Sequence, residues 1–184
     1  MKKIFGVIFC FLAVLDVYAQ SRRYQPVSEM ENSWYKNIDK SVWPYDVKEN
    51  LINYQNTLVG WVGVIEKTNT IITDNNEYNI IQYYVKHHYY DWIEDFGIGN
   101  KPIRLSPDGE GYIICDFYIR KEIDIIEFVK DKIGDCMIIY GYPTEIINED
   151  DIIIILTKYL RGIDKQYVDP NWIKYGRNGF NILN

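Results

Sequence analysis

A chain of 184 residues has room for one domain with an extension, and 47% hydrophobic with 25% charged residues lets it bury a core. Lys and Arg number 20 against 26 Asp and Glu, a formal charge of −6. That argues against a nucleic-acid or anionic-membrane binder, because phosphate binding runs on clustered Lys and Arg. Two His and three Cys leave little for a metal site or thiol chemistry, whereas 17 Tyr, 7 Phe and 5 Trp supply many rings.

Residues 1–19 have the three parts of a secretory leader. Lys2 and Lys3 form its positive end, 4–15 is an apolar run, and Val17-Tyr18-Ala19 puts small residues where a signal peptidase reads. A helix over 4–15 would be about 18 Å long, too short for a bilayer core of about 30 Å. Cleavage after Ala19 is expected, with release to the periplasm or the medium and at most peripheral membrane association. Cys10 sits inside the apolar run behind bulky Phe9, the wrong place for lipid attachment. Without Lys2, Lys3 and Asp16 the chain keeps 18 basic and 25 acidic residues, a charge of −7.

Residues 20–56 form a polar arm with Pro26 and Pro44 as breakers and helical pieces expected at 28–37 and 47–54. The β-rich body follows. The stretch 58–65 is apolar and glycine-punctuated, which suits a buried, bent strand. Asp74-Asn75-Asn76-Glu77 has hairpin chemistry, and 78–90 reads as a long aromatic strand. Gly97, Gly99, Pro102, Pro107 and Gly109, with Gly111 just after, mark 91–110 as a loop. Along 112–119, Ile113, Cys115, Phe117 and Ile119 share one face. A helix is expected over 122–133, stopped by Gly134. A strand over 136–142 ended by Pro143, an acidic turn at 144–151 and an apolar strand over 152–160 complete the order.

Strand, strand, loop, strand, helix, strand, strand predicts a mainly β fold: a five-stranded OB-like Greek-key barrel over 57–165, with one helix between its third and fourth strands. The irregular arm 20–56 precedes it and a tail, 166–184, follows. The segments Gly60-Trp61-Val62-Gly63-Val64-Ile65, 123–134 and Met137-Ile138-Ile139-Tyr140-Gly141, with the late apolar strand, resemble the Slp-type outer-membrane lipoproteins of bacteria. The resemblance implies an extracytoplasmic OB-like barrel and brings no catalytic residues. This chain lacks the lipid-bearing cysteine of that family.

His87-His88 reads as a polar strand end rather than a metal site, since neighbouring strand residues face opposite ways and no third ligand stands nearby. Cys115 and Cys136 are either a disulfide closing about 20 residues or two buried thiols. Glu145, Glu149, Asp150 and Asp151 form an acidic turn that repels phosphate. Gly97-Ile98-Gly99 begins like a dinucleotide loop, but Pro102 blocks the helix it needs. No nucleophile elbow or phosphate loop is present, so no catalytic residue, cofactor or metal is assigned. Tyr84, His88, Tyr90, Trp92 and Tyr118 remain as candidate ligand-binding residues, because an aromatic face beside polar groups suits sugars and peptides. The expectation is an exported, non-enzymatic binding module for an envelope protein or glycan, without nucleic acid. The alternative is a secreted hydrolase using paired carboxylates.

Overall fold

In a computed structural model, which describes residues 24, 26–74, 77–92, 103–147 and 151–169, five long strands close into a barrel. They are β1 (Val59–Ile71), β2 (Tyr78–His87), β5 (Tyr112–Arg120), β6 (Cys136–Ile147) and β7 (Ile152–Ile163). Around the barrel the order is β1-β2-β5-β7-β6 and back to β1. Every neighbouring pair is antiparallel except β5 and β7, which run parallel. Outside the barrel, β3 (Tyr90–Trp92), β4 (Ile103–Leu105) and β8 (Val168–Asp169) form a small sheet in the order β3-β4-β8.

Alternation decides what fills the barrel. Val59, Trp61 and Ile65 of β1, Ile81, Tyr83 and Val85 of β2, and Ile113, Cys115 and Ile119 of β5 meet Met137, Ile139, Ile153 and Ile155 in one buried cluster. Both ends are plugged. At one end the arm contributes α2 (Pro44–Glu49) and α3 (Leu51–Tyr54), whose Val47, Leu51 and Tyr54 join that cluster. Trp61 Nε1 donates to the Val42 carbonyl at 2.9 Å and so ties arm to interior. At the other end α4 (Ile126–Val129) brings Phe128 and Val129 to the cluster, and Tyr83 Oη donates to the Phe128 carbonyl at 2.8 Å.

A second cluster lies on the outer side of β1, β6 and β7. Val62, Cys136, Ile138, Tyr140 and Ile163 point outward there and are covered by Tyr24, Ile38, Tyr90 and Ile103, with Trp34 and Tyr35 of α1 (Glu29–Tyr35) packed against them. Cys136 through Gly141 are therefore all buried, which is why that run shows no alternation.

The structure corrects several expectations. The helix over 122–133 shrinks to the single turn of α4, which ends where Lys130 turns extended and Asp131 takes φ 56. The chain must also return to the barrel: Gly134 N donates to the Ile65 carbonyl at 2.8 Å and Ile65 N to the Asp135 carbonyl at 3.0 Å. Gly134 takes φ 88, the left-handed geometry that return needs. The arm helix starts at Glu29 with Ser28 as its cap, and the piece expected at 47–54 is two helices starting at Pro44. Pro143 does not end β6. It sits at a register irregularity beyond Gly141, where pairing to β1 has stopped, so its missing N–H costs no bond on that side. The aromatic strand breaks after His87, and 91–110 contains β4. The tail begins with order as well, since β8 pairs with Ile103 and Arg104; residues 170–184 and the Gly97-Ile98-Gly99 stretch lie outside the described residues.

Candidate functional site

The outer face of β1 beyond its bulge, together with that of β2 and β5, lies outside the second cluster, although Ile114 within it is buried. Register lays its side chains out in rows. Lys67, Tyr84 and Ile114 form one row, Asn69, Gln82 and Asp116 the next, and Ile71, Ile80 and Tyr118 a third. Successive rows are two residues apart, about 7 Å along the strands. A bulge between Ile65 and Lys67 switches the phase of β1, turning Lys67 and Asn69 outward beside their β2 partners.

The middle row is a directed hydrogen-bond chain. Asn69 Nδ2 donates to Gln82 Oε1 at 3.2 Å, and Gln82 Nε2 donates to Asp116 Oδ1 at 2.9 Å. Asp116 Oδ2 has no hydrogen-bond partner among the described residues. Partial burial raises the Asp116 carboxyl above its ordinary value and the charge of Glu145 adds to this, while the Gln82 bond works against it. The flanking rows supply rings: Lys67 Nζ stands 5.2 Å from the Tyr84 ring centroid, and Tyr118 is 48% exposed.

The candidate residues do not form one site. Tyr84 and Tyr118 share the open face, on either side of the Gln82–Asp116 row. His88 and Tyr90 belong to the covered side. Tyr90 is 2% exposed within the second cluster, and its hydroxyl has no hydrogen-bond partner among the described residues. Both residues line a cavity with Lys40, Val42, Trp43, Gly60, Trp61, Val62 and His87, but its volume is about 20 Å³. That holds about one water molecule, not a sugar or a peptide side chain. Trp92 pairs through its backbone with Ile103; its side chain lies outside the described residues.

The histidines are not a surface strand end. His87 is 1% exposed at the plugged end of the barrel, edge-on to Trp43 and Tyr89. Its Nδ1 accepts from Glu110 N at 3.0 Å, and burial lowers its pKa to about 3. His88 is half-buried, with Nδ1 2.7 Å from the Ser106 carbonyl oxygen, and burial lowers its pKa also. Among the described residues no three His, Cys, Asp or Glu side chains gather as a metal site.

No family model matches this chain, and no curated protein matches it.

Acidic groups near the arm are engaged. Asp151 pairs with Lys48 at 2.7 Å, and Glu110 accepts the Tyr45 N–H at 2.8 Å and the Tyr89 hydroxyl. These residues line an open groove of about 430 Å³, and their contacts fasten α2 to the barrel end. Glu149 and Asp150 lie outside the described residues.

Cys115 and Cys136 are free thiols. Cys115 faces the barrel interior and Cys136 the outer cluster, on strands that are not neighbours, so the disulfide alternative gives way to two buried thiols. Burial raises both thiol pKa values, that of Cys136 to about 12. Mass spectrometry after alkylation should find both unmodified in the native protein and both labelled after denaturation. Rapid native labelling of either would contradict this packing.

The signal that sequence reading missed on the open face is the polar row. Asn69 and Gln82 carry no motif, and only strand register reveals that they stand beside Asp116.

Proposed function

We propose that the protein is an exported, non-enzymatic binding module of the bacterial envelope, built on an OB-like barrel. The leader at 1–19 and the resemblance to Slp-type proteins support the location. Numbering the barrel strands in chain order gives first, second, third, fifth, fourth around the wall, with the third and fifth parallel, which supports the OB-like reading. The observation that carries the function is the part of the first three strands' outer face that lies outside the second cluster, where Tyr84 and the half-exposed Tyr118 flank a polar row. OB folds take extended ligands on the second and third strands.

The test uses the full chain expressed in export-competent cells. The product should lack residues 1–19 and sediment with isolated envelope material, and the double variant Tyr84→Ala/Tyr118→Ala should stay in the supernatant. An uncleaved cytoplasmic product, or equal sedimentation of the variant, would defeat the proposal.

One observation favours a second reading. Partial burial and the charge of Glu145 both raise the Asp116 carboxyl, and two carboxyl groups close enough to feel each other's charge are the kind of pair that glycoside hydrolysis uses. Release of reducing ends from polysaccharide, abolished by Asp116→Asn and by Glu145→Gln, would establish the hydrolase.

A further inference from the structure

The chemistry of the open face restricts what it can hold, and we infer that it is a binding site for an uncharged linear oligosaccharide. This inference rests on the binding-module reading and narrows it to one class of ligand.

Charge comes first. Lys67, Lys86 and Arg120 stand in the outward rows with Asp116, and Glu145 lies close enough for its charge to reach Asp116. Cations and anions are interspersed, so a polyanion such as nucleic acid meets the Asp116 carboxylate at the centre of the face and a polycation meets Lys67 and Lys86. Neither finds a field of one sign to bind.

The backbone offers no strand edge at the centre of this face. β2 is paired on both sides along its length, to β1 and to β5, and β5 continues into β7 through Asp116. A peptide that added itself as a strand would need an unpaired edge, and the centre of this face has none. At the centre of the face, around Gln82 and Tyr84, recognition must come from side chains.

Those side chains are suited to hydroxyl groups. Asp116 Oδ2 can accept from a hydroxyl. Each amide in the row uses one N–H in the chain and keeps a second for an incoming oxygen. A hydroxyl both donates and accepts, so it can serve either end of the row. Above and below lie the rings of Tyr84, with the Lys67 ammonium over it at 5.2 Å, and of the half-exposed Tyr118; their remaining apolar area suits the C–H faces of a sugar. The rings are four residues apart along the sheet, about 13 Å. A ligand touching both must be a chain of sugars, not a single one.

The experiment titrates isotope-labelled protein, purified from export-competent cells expressing the full chain, with four probes observed by amide NMR. The probes are a set of neutral tetrasaccharides (β-1,4-glucan, β-1,3-glucan, α-1,4-glucan, mannan and chitin types), a tetramer of uronic acid, a short unstructured peptide and a thymidine tetranucleotide. At least one neutral sugar should bind and move the amides of Gln82, Tyr84 and Asp116. Tyr84→Ala and Tyr118→Ala should each weaken it about tenfold, about 1.4 kcal/mol. Tyr84→Phe, which keeps the ring, should stay near wild type, and Ile52→Ala, on the exposed side of the arm, should change nothing.

Absence of binding by every neutral sugar at millimolar concentration overturns the inference. Tighter binding of the uronate, peptide or nucleotide through the same residues overturns it too, but leaves the binding-module reading standing. Shifts confined to other surfaces defeat both.

Discussion

Replacing Arg161 by Met should destabilise the protein by about 3–5 kcal/mol, because it strands a buried carboxylate. Glu31 of α1 is 0% exposed. It accepts from the Tyr24 hydroxyl, from Tyr140 Oη at 2.9 Å and from Val27 N at 2.7 Å. The guanidinium that balances its charge is Arg161 on β7, at 3.7 Å, which also donates to Tyr24 Oη at 2.8 Å. Removing the cation leaves the desolvation cost of the anion without its Coulombic return. The double variant Glu31→Gln/Arg161→Met removes both charges, so it should recover most of the loss. Urea unfolding measures this as a shift in midpoint with the slope unchanged. A loss below about 1 kcal/mol for Arg161→Met, the range of an exposed pair, would mean that the neutral hydrogen bonds alone hold Glu31.

Acid should loosen the same arm through a different group. Buried His87 has its pKa lowered to about 3, whereas an unfolded histidine titrates near 6.5. The unfolded chain therefore binds the extra proton first. His87 imposes no penalty above about pH 6.5, and stability falls as pH drops toward about 3, by about 1.4 kcal/mol per unit. Half-buried His88 adds a smaller effect of the same sign. Asp116 acts oppositely: its carboxyl is raised, so protonation relieves it and falling pH favours the fold. The decisive comparison is His87→Gln, which should be less stable at pH 7 yet lose less between pH 6 and pH 4. Parallel stability curves for the two proteins across that range would show that His87 does not govern the acid response.

The barrel was legible where one face of a strand is buried and the other is not. The alternation of Ile113, Cys115, Phe117 and Ile119 marks β5, and all four carry through to the core, Phe117 at its margin. It was less legible where both faces are buried, as in β6, because alternation then disappears. Period alone cannot say which side of a strand faces a neighbour folded from distant sequence. His87 read as a surface strand end and Tyr90 as a ligand-binding candidate because nothing near them announces Trp43, which packs on His87, or Tyr24, which joins the cluster over Tyr90. The same limit hid the polar row, whose members come from three strands.

The contact between Arg161 and Tyr24 spans 137 positions, and this separation has a kinetic consequence. Local pairing such as the β1–β2 hairpin can form early, but the Tyr24 and Glu31 end of the arm cannot seat until β7 exists, and closing so long a loop is slow. In a chain threaded outward from its N-terminus, as the proposed export route requires, the arm emerges first and docks last. The protein would thus remain a loose thread through most of its passage, becoming a closed body only as its final strand arrives.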